Sequence, residues 1–74
     1  MRDVTDLQPN PDKPGWYFGF VVVNTTSNVV HDIYPGHLEA VQESKRLGPD
    51  FQALGGGYCP KDDLYEYFQA VVQR

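Results

Sequence analysis

One cysteine, two histidines and a triple glycine are the residues in this chain whose types and spacing could carry chemistry. Cys59 stands just ahead of residues 61–73, which read as a helix, and a helix N-terminus lowers a thiol pKa, so His31 or His37 could serve as its base. Asp62 and Asp63 close by oppose thiolate formation, and a buried cysteine usually behaves as a small apolar side chain. The residues therefore favour an inert Cys59. Gly55-Gly56-Gly57 ahead of the same helix offers backbone amides to an anion. It lacks both the Gly-Lys-Ser/Thr ending of a phosphate loop and the spacing of a dinucleotide fingerprint, so a flexible connector or bulged strand end accounts for it better. His31, Asp32 and His37 suit a first-row metal by type. Residues 31 and 32 point to opposite faces of a strand, which breaks that set, so neither metal nor cofactor is expected. Asp62, Asp63 and Glu66, with Tyr65 beside them, form an acidic group able to meet a basic protein patch.

The element that must position all of these is the run Gly15-Trp16-Tyr17-Phe18-Gly19-Phe20-Val21-Val22-Val23-Asn24. Aromatic and β-branched residues between turn formers make it a strand. Trp16, Phe18, Phe20 and Val22 share one face, Tyr17, Gly19, Val21 and Val23 the other, and neither face is polar. Either the strand is central and covered on both sides or one face is an exposed binding surface. Central placement is the stronger reading.

Ahead of it, residues 1–14 carry three prolines among acids and amides, with only Val4 and Leu7 to bury, and read as an extended or mobile arm. Val4 and Leu7 dock, on the sharper reading, on a partner or on the second face of the strand. After it, residues 24–28 have hairpin-loop composition and residues 29–34 form a second strand with Val29, His31 and Ile33 toward the core. Pro35-Gly36 turns the chain into a helix over residues 37–47, which Gly48-Pro49 stops. Residues 50–54 read as a short third strand. Leu64, Tyr67, Phe68 and Val71 then fall at the spacing of one face of a second helix over 61–73. The order β-β-α-β-α predicts an α+β fold, a single-domain two-layer sandwich over residues 15–74. Its antiparallel or mixed sheet has about three strands, and both helices lie on one face.

Size and charge narrow the function. A chain of 74 residues buries only about 60% of its unfolded surface, so ten aromatic residues, a homodimer or both must stabilise it. A lone cysteine excludes an internal disulfide, and with no signal-peptide pattern or long apolar stretch it points to a reducing cytoplasm and no membrane span. The net charge of −4 and only six Lys and Arg oppose direct nucleic-acid binding and favour a protein partner with a basic patch.

The leading expectation is a small acidic non-enzymatic protein-interaction module. On a base rate for short acidic proteins, rather than on any residue, it is of the kind that phages and mobile elements use as an inhibitor or regulator of a larger host protein complex. Its expected contacts are Tyr17 and Val21 on an open sheet face and Asp62, Asp63, Tyr65 and Glu66 on the second helix. The alternative is a homodimeric ligand-binding domain or enzyme with a site around Cys59 and a histidine.

Overall fold

A computed structural model describes residues 3–67. These residues form an α+β fold with one five-stranded antiparallel sheet and one helix. The strands are β1 (Gln8–Pro9), β2 (Tyr17–Asn24), β3 (Val29–Tyr34), β4 (Phe51–Cys59) and β5 (Leu64–Tyr67), and α1 (His37–Leu47) lies between β3 and β4.

The aromatic and β-branched run forms the centre. Along one edge β2 pairs with β4 over its whole length, from Tyr17 opposite Tyr58 to Asn24 opposite Phe51. Its other edge is shared. β1 takes Tyr17 and Phe18, and β3 takes Phe20 to Asn24, leaving a notch at Gly19 between the two strand ends.

The β2–β3 turn is set by Asn24, whose Oδ1 accepts hydrogen bonds from the amides of Thr26 and Ser27, both at 3.0 Å. Asn28 closes it at a φ of 61°, a left-handed conformation that asparagine tolerates. On β3 the register slips by one residue between the Asp32–Val22 and Val30–Val23 pairs, so His31 is an inserted bulge residue. The bulge turns His31 away from the face that Val30 and Ile33 share. Asp32 Oδ1 accepts the amide hydrogen of Ile33 at 2.7 Å, occupying a donor that an edge strand would otherwise present to another chain.

Both faces of β2 are closed over its C-terminal half. Val21, Val22 and Val23 are all fully buried, each stabilising the fold by roughly 1.5–3 kcal/mol. Val21 and Val23 join Leu7, Ile33, Leu54 and Tyr58 in one cluster, against which Val4, Tyr17, Val30, Tyr65 and Tyr67 pack. Leu7 and Val4 of the N-terminal segment thus lie on the second face of β2. The segment is tied there by β1 and by the Asn10 amide donating to the Trp16 carbonyl at 2.8 Å. On the first face α1 crosses β2 and β4, burying Ala40 and Ser44, and His37 at its start meets the Phe20 ring at 5.1 Å. Gly48, at a φ of 128°, ends α1.

Two expectations are corrected. The sheet has five strands rather than three, because β1 and β5 join it and β4 runs through the triple glycine to Cys59. The second helix expected over 61–73 is not formed where the chain is described, since residues 60–63 make a turn and 64–67 a strand; the rest of that stretch lies outside the described residues. Asp63 explains the change. It takes a φ of 53°, closing a hairpin, and its Oδ1 accepts the Tyr58 hydroxyl at 2.7 Å. The hairpin stacks Tyr65 on Tyr58 with ring centroids 4.6 Å apart, an aromatic cross-strand pair that a helix would forgo.

The glycines of β4 differ in what they permit. A Cβ on Gly56 would collide with the backbone of Glu66 and Tyr67, whereas a Cβ on Gly55 would meet nothing within 4 Å. Gly56→Ala is therefore expected to destabilise the fold by about 2 kcal/mol or more, and Gly55→Ala to leave it unchanged or raise it by up to about 1 kcal/mol. Urea unfolding of the two variants beside the native chain checks the contrast.

Candidate functional site

The face of β2 that carries Phe18, Phe20 and Val22 is covered unevenly. An 11-residue helix is about 16 Å long, and α1 lies over the Val22 end. Towards the other end Phe18 is 49% exposed, although it sits on a central strand. Directly across the ladder from Phe20 and Phe18 are Gly55 and Gly57. Gly57 is covered, because the Trp16 ring and the Glu66 carboxylate lie within 4 Å of where its Cβ would be. Lys13 fixes that cover, with Nζ 4.2 Å from the Trp16 ring centroid and 2.6 Å from Glu66 Oε1. Gly55 has open space above it.

The result is a recess of about 570 Å³. Phe18, Phe20 and Pro35 wall it, Gly19, Gly55 and Gly56 contribute bare backbone, and Asp6 and Gln8 stand at the end next to the β1–β3 notch. Leu64, on the same face by its pairing with Cys59, is 52% exposed and stands outside the recess, beyond the covered Gly57. A concave, aromatic-walled recess with few polar groups is shaped for an apolar group presented by another molecule.

The residues expected at the site are placed otherwise. Val21 is fully buried and Tyr17 half-buried, both in the cluster closed by Leu7, Tyr65 and Tyr67, so the face they share is not open. Tyr65 covers that cluster and Glu66 holds Lys13, while Asp62 and Asp63 occupy the β4–β5 turn. The four do not form one helical surface. Asp63 is engaged by Tyr58, and Asp62 Oδ2 lies 3.9 Å from Cys59 Sγ.

The residues considered for chemistry are also separated. Cys59 is buried at the last position of β4, whereas His31 packs edge-on against Phe51, the first, with centroids 6.4 Å apart. Eight strand steps, roughly 26 Å, therefore part the thiol from that imidazole within one chain. His37 packs on Phe20 at the rim of the recess. Among the described residues no group of three or more His, Cys, Asp or Glu is placed to hold a metal ion, and no helix is long and apolar enough to cross a membrane.

His31 instead joins β3 to the helix, its Nε2 lying 3.4 Å from Glu43 Oε2. Glu43 also accepts two hydrogen bonds from the Arg46 guanidinium, and these above all hold its carboxyl below the usual carboxylate range.

Phe18 and Phe20, which wall the recess, are not among the residues expected from the sequence, although the sequence carries a signal for the recess. Glycines at 55 and 57 in a strand put no side chain directly opposite Phe20 and Phe18 in the ladder. Comparison of the chain with protein-family models, with curated proteins and with solved structures returns no match.

The Glu43 arrangement has a pH consequence. A carboxyl whose folded pKa lies below its unfolded value adds stability that is present above the unfolded value and lost as pH falls through the folded one. The native chain should therefore lose more stability than Glu43→Gln on going from pH 7 to pH 3. Parallel denaturant titrations at both pH values measure the difference, and equal losses would remove Glu43 as its source.

Proposed function

We propose that the chain is a small non-enzymatic protein-interaction module that acts by seating an apolar group of a larger protein in the recess between Phe18, Phe20 and Gly55. The observation that carries this reading is the pairing of a half-exposed phenylalanine on the central strand with unfilled space over Gly55. Every other large side chain of β2 is packed against the helix, the N-terminal segment or the tyrosines. An exposed aromatic beside a cavity is an anchor-and-pocket arrangement of the kind that dominates binding energy at interfaces. The wide separation of Cys59 from His31 supports a non-enzymatic role for the single chain. Inhibition or regulation of a larger complex by occupying one of its surfaces is the mode we infer, and a buried lone thiol suits the cytoplasm.

A second reading has one observation in its favour. A recess of about 570 Å³ is also the size of a small-ligand pocket, so an apolar small molecule could occupy the same place. That ligand would sit at Phe18 and Phe20 rather than at Cys59.

Gly55→Leu tests the proposal, because it fills the recess from a position where a Cβ meets nothing. With the fold checked by circular dichroism and elution volume, Gly55→Leu should retain a captured protein partner at least tenfold more weakly than the native chain, about 1.4 kcal/mol or more. Equal retention by the two would place the contact elsewhere and overturn the reading.

A further inference from the structure

We propose that in the free chain the recess is occupied by the chain's own Phe68, carried there by a continuation of β5 along β4, and that a partner's apolar group takes its place; the second half rests on the interaction reading above. The ladder leads to this occupant. β5 pairs with β4 without a slip from Leu64 opposite Cys59 to Tyr67 opposite Gly56, and the next two residues in line are Phe68 and Gly55. The side of the sheet is fixed as well. Glu66, two residues before Phe68, holds its carboxylate over Gly57 on the recess face, and residues two apart on a strand share a face. Phe68 is therefore the side chain due opposite Gly55, the position on the recess floor where a Cβ meets nothing.

Pairing and tethering choose this segment over a foreign one. Among the described residues the outer edge of β4 has no strand partner from Phe51 to Gly55, so backbone groups there are available to another strand. Phe68-Gln69-Ala70-Val71-Val72 follows β5 without a Gly or Pro and matches those positions one for one, from Gly55 back to Phe51. Phe68, Val71 and Val72 favour strands. An aromatic ring opposite a strand glycine covers the backbone that the glycine leaves bare, a pairing that stabilises sheets. Being joined directly to β5, the segment meets the recess at an effective concentration of roughly millimolar, ahead of a second copy or a dissolved partner. A partner must therefore displace it.

The test is nuclear Overhauser spectroscopy of the full native chain, followed by dye binding to Phe68→Ala. The native spectra should show the Phe68 ring in contact, within about 5 Å, with the Gly55 α-protons and the Phe20 ring, and a soluble paramagnetic probe should leave those α-protons protected. In Phe68→Ala the α-protons should become exposed, and Nile red, standing in for the partner's apolar group, should bind at least tenfold more tightly than to the native chain. Adding Gly55→Leu to Phe68→Ala should abolish that binding. Native spectra without the contacts, and with the Gly55 α-protons strongly relaxed, would overturn the inference and leave the interaction reading standing. Contacts that run only between copies, in a mixture of isotope-labelled and unlabelled chains, would make a second copy the occupant and overturn it too. Contacts within one chain, with no gain of dye by a folded Phe68→Ala, would overturn the displacement and the interaction reading with it, leaving Phe68 a fixed part of the core. The native spectra decide the first half whether or not Phe68→Ala folds.

Discussion

The structure depends on one constraint, that β2 is apolar on both faces and so must be covered twice. Its ladder with β4 fixes the sheet, and the alternation of side chains then assigns Tyr17, Val21 and Val23 to one side and Phe18, Phe20 and Val22 to the other. The tyrosine side is closed by the N-terminal segment and by the aromatic residues of β4 and β5. Among the described residues the phenylalanine side has one helix, and none of its residues lines the recess beside Phe18. The candidate surface is what the described residues leave uncovered.

Glycine decides where that is. Gly56 lets the backbone of β5 approach β4 more closely than any side chain would allow, drawing Tyr65 and Tyr67 over the buried face. Gly55, one residue earlier and on the opposite face, leaves a space. A single tripeptide therefore tightens one side of the sheet and opens the other. The charged groups do something different. Lys13, Glu66 and Trp16 close the Gly57 end, and Asp63 and Asn24 shape turns, so Glu66 and Asp63 both serve local geometry.

Much of this was legible in the residues. β2, β3 and α1 are announced by composition, by the Asn24–Asn28 loop and by the Pro35-Gly36 and Gly48-Pro49 punctuation, and the division of β2 into two faces follows from its alternation. The side that stays open did not follow. It depends on β5, and the stretch Leu64-Tyr65-Glu66-Tyr67 satisfies helical spacing and strand composition together. Tertiary pairing with Gly56 and Tyr58 settles it as a strand, and that pairing needs Gly55-Gly56-Gly57 read as strand interior rather than loop. His31 shows the same limit on a smaller scale. Simple alternation sends it to the core with Ile33, but the bulge sends it to Glu43. Nothing in a lone sequence marks a bulge.

The most direct test of this account is the solvent exposure of side chains in the free protein, read by proton relaxation in the presence of a soluble paramagnetic probe. The account predicts strong relaxation of the Phe18 ring, with the Val21 and Val23 methyls protected. Methyls of Val21 and Val23 relaxed as strongly as Phe18 would mean that the tyrosine-side face is open, and the assignment of the binding surface would be contradicted.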